Sequence, residues 1–185
     1  TCALPICLMT QARKDLWEQG IFEGNPQQEW GDIGTTIIVD AANGIGGHTD
    51  WINEDSFLRY HFTPQIILET SEKAFYDYFV RQEIKIDYLH IDGDHSYEGV
   101  KKDFELYSTI ISENGIITIH DTDQKYHDTL VITENSKKDF VTFDGPAKFI
   151  KDLEKNSEWN LVNLKNFRML DKKVTSTGLT ILTRK

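Results

Sequence analysis

The chain has 185 residues, 39% hydrophobic and 27% charged, the proportions of an ordinary globular domain with a sizeable core. Its formal net charge is −10 and no Lys/Arg-rich block stands out, which argues against nucleic acid and against an anionic membrane surface as partners. No apolar run approaches the roughly 18 residues of a bilayer span, no segment has the order of a secretory signal, and Cys2 and Cys7 cannot form a disulfide framework; the expectation is an acidic cytoplasmic domain.

Thr1-Cys2-Ala3-Leu4-Pro5-Ile6 resembles the translation of a common sequencing adaptor. Native sequence is therefore expected to begin near Cys7, as a single domain over 7–185 that lacks an upstream stretch. Residues 8–19 read as a helix, and 50–61 are a further candidate. Residues 36–40 (TIIVD), a β-branched run between Gly34 and Asn43-Gly44, read as a buried strand, and 64–68 (PQIIL) read the same way. A helix is expected over 71–79, with Ser71 at its N-cap and Phe75, Tyr78 and Phe79 on one face. Strands follow at 86–92 (IDYLHID) and 115–120 (GIITIH), separated by a helix at 97–111 whose stripe is Val100, Phe104, Tyr107 and Ile111. The 122–143 stretch is long, polar and irregular, a candidate lid or substrate loop. A helix at 145–154, with Pro146 in its first turn and Phe149, Ile150 and Leu153 inward, precedes two last strands at 159–164 and 178–183.

Strands alternating with helices imply crossover connections and a mostly parallel α/β sheet. Such sheets bind ligands beyond the carboxyl ends of their strands. Three of the four first strands end in Asp40, Asp92 and His120-Asp121, while Glu69 and Ser71 follow the other. A purely structural sheet has no use for acids gathered at one edge.

Asp92 ends a buried strand, Gly93 admits close backbone approach, and Asp94 and His95 follow before a helix. Oxygen ligands of this kind suit a hard cation such as Mg²⁺. The structural alternative is a turn in which Asp94 or Ser96 caps the helix, and for those two it is preferred. His120 and Asp121 end the next strand. Parallel neighbours lie ~5 Å apart, so Asp92 and this pair could meet at one ion. Residues i and i+1 normally diverge on leaving a strand, so the chain must turn beyond the sheet to bring both inward. The bland reading makes His120 a satisfied interior histidine and Asp121 a turn former.

The run IDYLHIDGDHSYEGVKKDFELY followed by NGIITIHDTD resembles the macrocin O-methyltransferase and cephalosporin-hydroxylase-type group of class I S-adenosylmethionine-dependent methyltransferases. The likeness covers about residues 64–123 well and is most specific in DGDHSYEGV. It implies a Rossmann-like, mostly parallel sheet with helices on both faces and an antiparallel last strand. It also implies a divalent metal, Mg²⁺ or another cation, held by Asp92, His120 and Asp121. His120 departs from the pattern, since relatives more often carry an acid there. His95 is implied as a candidate general base for a substrate hydroxyl, a role its near-neutral reference pKa suits. A lone His beside a turn serves equally well as a structural residue. Cofactor contacts are implied at Asp40 and Ala41, at Glu69, Thr70 and Ser71, and at Asp92 and Gly93.

Asp40-Ala41-Ala42-Asn43-Gly44-Ile45-Gly46-Gly47 resembles the glycine loop that follows the first strand in such enzymes. Alternatively, Asp40 ends the second strand and holds the ribose hydroxyls, with Glu69–Ser71 beside the adenine. Only one strand is recognised in the 52 positions from Asp40 to Asp92 (92 − 40), whereas two crossover units need about 25–30 residues each. Spacing favours the second-strand reading, with the first core strand missing. Stability opposes it, because losing a central strand exposes sheet edges. The expected reaction is O-methyl transfer to a small-molecule or sugar hydroxyl, and a homo-oligomer is left open. Its rivals are a metal-dependent hydroxylase using His95, His120 and Asp121, and a non-catalytic domain that keeps the fold.

Overall fold

A computed structural model describes residues 36–41, 65–123, 128–132, 138–142, 144–156, 158–165, 167–170 and 173–185. The helices expected at 8–19 and 50–61, the 43–47 glycine run and residues 1–6 lie outside these. The chain falls into two compact units, Thr1–Ala74 and Phe75–Lys185.

In the first unit, β1 (Ile37–Val39) pairs in parallel with β2 (Gln65–Ile67), Ile37 opposite Gln65 and Val39 opposite Ile67. Ile38 is buried, as the β-branched run requires. The Asp40 amide still donates to the Ile67 carbonyl at 3.1 Å, so Asp40 leaves the sheet level with the end of β2. A short helix, α1 (Ser71–Ala74), follows. Thr70 caps it, rather than the expected Ser71: its hydroxyl accepts from Lys73 N at 3.3 Å and its carbonyl from Ala74 N at 2.9 Å.

The helix continues into the second unit as a π turn, Phe75–Val80. Phe75 and Phe79, four apart and so on one face of this turn, both meet Tyr107 edge-on, with ring centroids 5.2 and 5.3 Å away. Glu83, at φ 54°, ends the turn.

The main sheet runs β3 (Ile86–Ile91), β4 (Ile111–His120), β10 (Leu179–Arg184), β7 (Trp159–Leu164). β3 and β4 are parallel, and β10 is antiparallel to both β4 and β7. The architecture is therefore α/β with an antiparallel last strand, as expected. β4 begins earlier than its regular part, because the register shifts between Ile86 opposite Ile111 and Tyr88 opposite Ile116. The helix expected to reach Ile111 closes sooner. Its α-helical part, α2, is Tyr97–Tyr107 and a 3₁₀ turn covers Ser108–Ile110. Ile111 still joins the core, from a strand instead.

α2 and α3 (Gly145–Asn156) cover one sheet face. Their Val100, Phe104, Phe149 and Ile150 interlock with Ile91, Ile117, Ile119 and Leu182. Ile117, Ile119 and Leu182 are fully shielded, each contributing about 1.5–3 kcal/mol by burial. The 122–143 stretch is not wholly irregular. It contains an antiparallel hairpin, β5 (Asp128–Ile132) with β6 (Lys138–Thr142), whose β-branched runs pair Thr129 with Val141. A second antiparallel hairpin, β8 (Phe167–Leu170) with β9 (Lys173–Ser176), lies between β7 and β10 in the chain and forms a two-stranded sheet of its own. Among the described residues no helix is long and apolar enough to cross a membrane.

Candidate active site

β3 and β4 are in register with His90 opposite Thr118 and Ile91 opposite Ile119. The next pair along is Asp92 and His120, and their side chains meet: Asp92 Oδ1 lies 3.1 Å from His120 Nδ1. Asp121 would point away if the strand ran on. It instead adopts φ 57°, a left-handed conformation that Asp tolerates better than most residues. Its Oδ1 comes within 3.1 Å of the same His120 nitrogen.

Bonds from far along the chain hold this turn. Asp121 N donates to Gly178 O at 3.1 Å and Asp123 N to Thr177 O at 2.9 Å. Gly178 has φ 74°, and a Cβ there would fall 2.5 Å from Asp123 N, so both conformation and closeness require glycine. The fully buried Thr180 hydroxyl adds bonds to Thr122 Oγ1 at 2.9 Å and Asn163 Oδ1 at 2.7 Å.

His95 comes from the β3–α2 turn. Its Nε2 is 3.3 Å from Asp92 Oδ1 and its Nδ1 3.4 Å from Asp121 Oδ2. Donor atoms of Asp92, His95 and Asp121 all lie within 4.8 Å of one another, and His120 adjoins both acids. Asp94 and Ser96 do the structural work expected of them. Asp94 accepts from Ser96 N at 2.8 Å and from its hydroxyl at 2.9 Å, and Ser96 caps α2 by accepting from Gly99 N at 3.0 Å.

The carboxylates set the histidines' charge. Asp121 first and Asp92 second, against the cost of burial, raise His120 to about 10. The hydrogen bond that His95 makes to Asp92 raises His95, with Asp121 adding to it and burial opposing. His90 is lowered, chiefly by burial. Asp121 is buried, and its Oδ1 has no hydrogen bond of good geometry although His120 Nδ1 is near.

Sequence reasoning missed a polar patch behind the site. Thr118 Oγ1 donates to Leu89 O at 3.3 Å and meets Tyr88 Oη at 2.8 Å and His90 Nδ1 at 2.9 Å. The other ring nitrogen of His90, Nε2, is buried without a hydrogen-bond partner. Polar Tyr88 and His90 two apart on a strand were the available signal.

The expected cofactor residues fall in both units. In the first, Asp40 and exposed Ala41 follow β1, while Glu69, Thr70 and Ser71 follow β2, with Glu69 paired to Lys73. In the second, a Cβ at Gly93 would meet Asp103 Oδ2 at an ordinary 3.6 Å, so packing does not demand that glycine.

The chain belongs to the family described as "Methyltransferase domain", which matches residues 15–122, more than half of it. Its fold is similar to that of the Bacillus cereus O-methyltransferase solved in complex with SAH, at 13% identity and a TM-score of 0.57, covering 83% of this chain and 64% of that one. It is also similar to a Streptomyces achromogenes O-methyltransferase involved in tomaymycin synthesis, solved with SAM, at 10% identity and a TM-score of 0.54 over 83% of this chain and 63% of that one. The chain thus spans less than two thirds of the length of either. An uncharacterized Sinorhizobium fredii protein is 37% identical over 46 residues, 25% of this chain and 5% of that protein.

Proposed function

We propose that the chain carries the catalytic part of an S-adenosylmethionine-dependent, divalent-metal-assisted O-methyltransferase acting on a hydroxyl of a small molecule or sugar. The observation that supports this most is the convergence of Asp92, His95, His120 and Asp121 beyond the carboxyl ends of β3 and β4. The narrower kinship, with the macrocin O-methyltransferase and cephalosporin-hydroxylase-type group, rests on the 92–100 and 120–123 motifs.

The donor set fits a cation. A buried carboxylate oxygen without a well-formed hydrogen bond is costly, and Asp121 Oδ1 is one. Asp92 and Asp121 would supply oxygen ligands and His120 a nitrogen. The carboxylates suit Mg²⁺, and the imidazole widens the choice towards transition metals. A cation bound there supplies positive charge that acidifies and orients an acceptor hydroxyl. His95 would take the hydroxyl proton, its ring oriented by Asp92 and Asp121, which also stabilise the imidazolium formed.

On the cofactor side, Asp40 and Glu69 follow adjacent parallel strands, where this fold class binds ligands. Asp40 would hold the ribose hydroxyls and Glu69, Thr70 and Ser71 the adenine edge, with Ala41 allowing close approach. S-adenosylmethionine supplies an electrophilic methyl group. The 122–143 segment would cover the acceptor.

The test is methyl transfer from S-adenosylmethionine to a panel of hydroxylated small molecules, with and without chelator, alongside calorimetric titration with Mg²⁺ and Mn²⁺. The expected result is transfer that chelation abolishes and metal restores. Transfer indifferent to chelation removes the cation; no cofactor binding removes the reaction. The hydroxylase reading draws on His95 and His120 both reaching Asp121, two imidazoles and a carboxylate being what a non-haem iron takes. Iron retained on purification, without cofactor binding, would favour it.

A further inference from the structure

We propose that Gly145 is a positioning residue for His95. α3 begins against the turn that carries this histidine. A Cβ at position 145 would lie 2.3 Å from the His95 carbonyl oxygen, 2.4 Å from Ser96 C and 2.4 Å from Tyr97 N. All three are main-chain atoms, so no side chain can swing aside to make room. The φ of Gly145 lies outside the left-handed region, so closeness and not conformation is what demands glycine.

Neither partner is free to yield cheaply. The 94–99 turn is braced by the two bonds from Ser96 to the Asp94 carboxylate and by the Gly99 amide on Ser96 Oγ. α3 is pinned from the other side. Phe149 and Ile150 are buried in the core, the Phe149 ring sits 5.2 Å from Phe104, and Tyr97 Oη donates to Asp152 Oδ2 at 3.0 Å. Gly145 and Pro146 are themselves buried. A methyl group at 145 must therefore move the backbone of 95–97. His95 has little to lose before its contacts fail, because its nitrogens already stand 3.3 and 3.4 Å from Asp92 and Asp121, at the long end for hydrogen bonds. The catalytic consequence rests on His95 being the base; the geometric consequence does not.

The experiment reads both in the full chain. In ¹H–¹⁵N spectra of the histidine rings, with His95 assigned by its loss in His95→Gln, Gly145→Ala is expected to move the His95 signals. Leu153→Ala, a core change about two turns further along the same helix, is expected to leave them in place. The kcat for methyl transfer is expected to fall about tenfold or more in Gly145→Ala, since sub-ångström displacement of a catalytic group costs rate, with both KM values within about twofold. Should Gly145→Ala not fold, Tyr97→Phe removes the Tyr97–Asp152 bond that docks α3 on the same turn, and is expected to move the His95 signals in the same spectrum. Unmoved His95 signals, or an equal displacement in Leu153→Ala, overturn the proposal. Displaced signals in a protein that transfers no methyl group leave the positioning intact and remove only the reaction.

Discussion

Asp92 and His120 stand on neighbouring parallel strands and meet through one oxygen and one nitrogen, 3.1 Å apart. The same Asp92 oxygen also faces His95 at 3.3 Å. One carboxylate thus ties together β3, β4 and the turn that opens α2.

Asp92→Asn keeps the shape and removes the charge. Divalent-cation affinity, read by calorimetry, is expected to fall by at least about tenfold, and methyl transfer to be abolished. The histidines lose the partner that helps hold their protons, so His120 is expected to titrate lower by NMR. Unchanged affinity together with unchanged turnover would exclude Asp92 from any metal role.

Much of this site was legible in the chain because it lies at strand ends. IDYLHID and GIITIH are short apolar runs bounded by Gly and Asp, and parallel pairing follows from the helix between them. What was not legible depends on remote parts. Asp121 turns inward because Gly178 and Thr177 hold its loop, and no local pattern announces that. Gly145 looks like an ordinary helix start until the His95 turn is set against it. The π turn at Phe75–Val80 escaped because six residues of α and π periodicity are hardly distinguishable. The two hairpins escaped because strands of four or five residues carry weak signals of their own. The order β1–β2 is what either strand assignment of Asp40 requires, so pairing alone does not choose between them.

His120 and His95 can be separated by their effects. If His120 is the nitrogen ligand and His95 the base, His120→Ala lowers cation affinity while His95→Ala leaves it within about threefold. His95→Ala then lowers kcat by about 10²–10⁴. Calorimetry and steady-state kinetics on the two variants decide the roles, and a reversed pattern exchanges them.

Stability of the metal-free chain should depend on pH through His120. Its folded value, about 10, lies above its ordinary 6.5. The folded state therefore binds the proton more tightly, and stability falls with rising pH wherever the folded state holds more protons than the unfolded chain. The contribution is complete below about pH 6.5 and lost as pH rises towards 10. His95, also raised, acts in the same direction. His90, lowered by burial, acts oppositely: its contribution is present above 6.5 and lost in acid. Urea midpoints of the chelated chain are expected to decline from pH 7 to 10, and His120→Gln to flatten that decline.

Ile117 tests the core beneath the site. It is fully shielded among Ile91, Val100 and Phe104, and Ile117→Ala is expected to cost about 2–5 kcal/mol in urea unfolding. A loss below about 1 kcal/mol would mean that the sheet and α2 are not packed as described.

Gly178→Ala probes the Asp121 turn without touching any proposed ligand. Two penalties coincide at this position. A left-handed φ of 74° costs a residue with a Cβ about 1–2 kcal/mol, and the new methyl would press on Asp123 N at 2.5 Å. The backbone must give way, and the bonds from Asp121 N to Gly178 O and from Asp123 N to Thr177 O lie directly in its path. Stability in urea should therefore fall by at least about 1 kcal/mol, and cation affinity should fall with it, because Asp121 depends on that loop for its inward turn. Asp121→Asn provides the contrast, since Asn also tolerates the left-handed conformation and keeps the backbone while losing the charge. It should lower cation affinity with a smaller loss of stability. If Gly178→Ala loses stability and yet binds cation as well as the parent chain, the turn does not govern the carboxylate, and Asp121 is held by some other means.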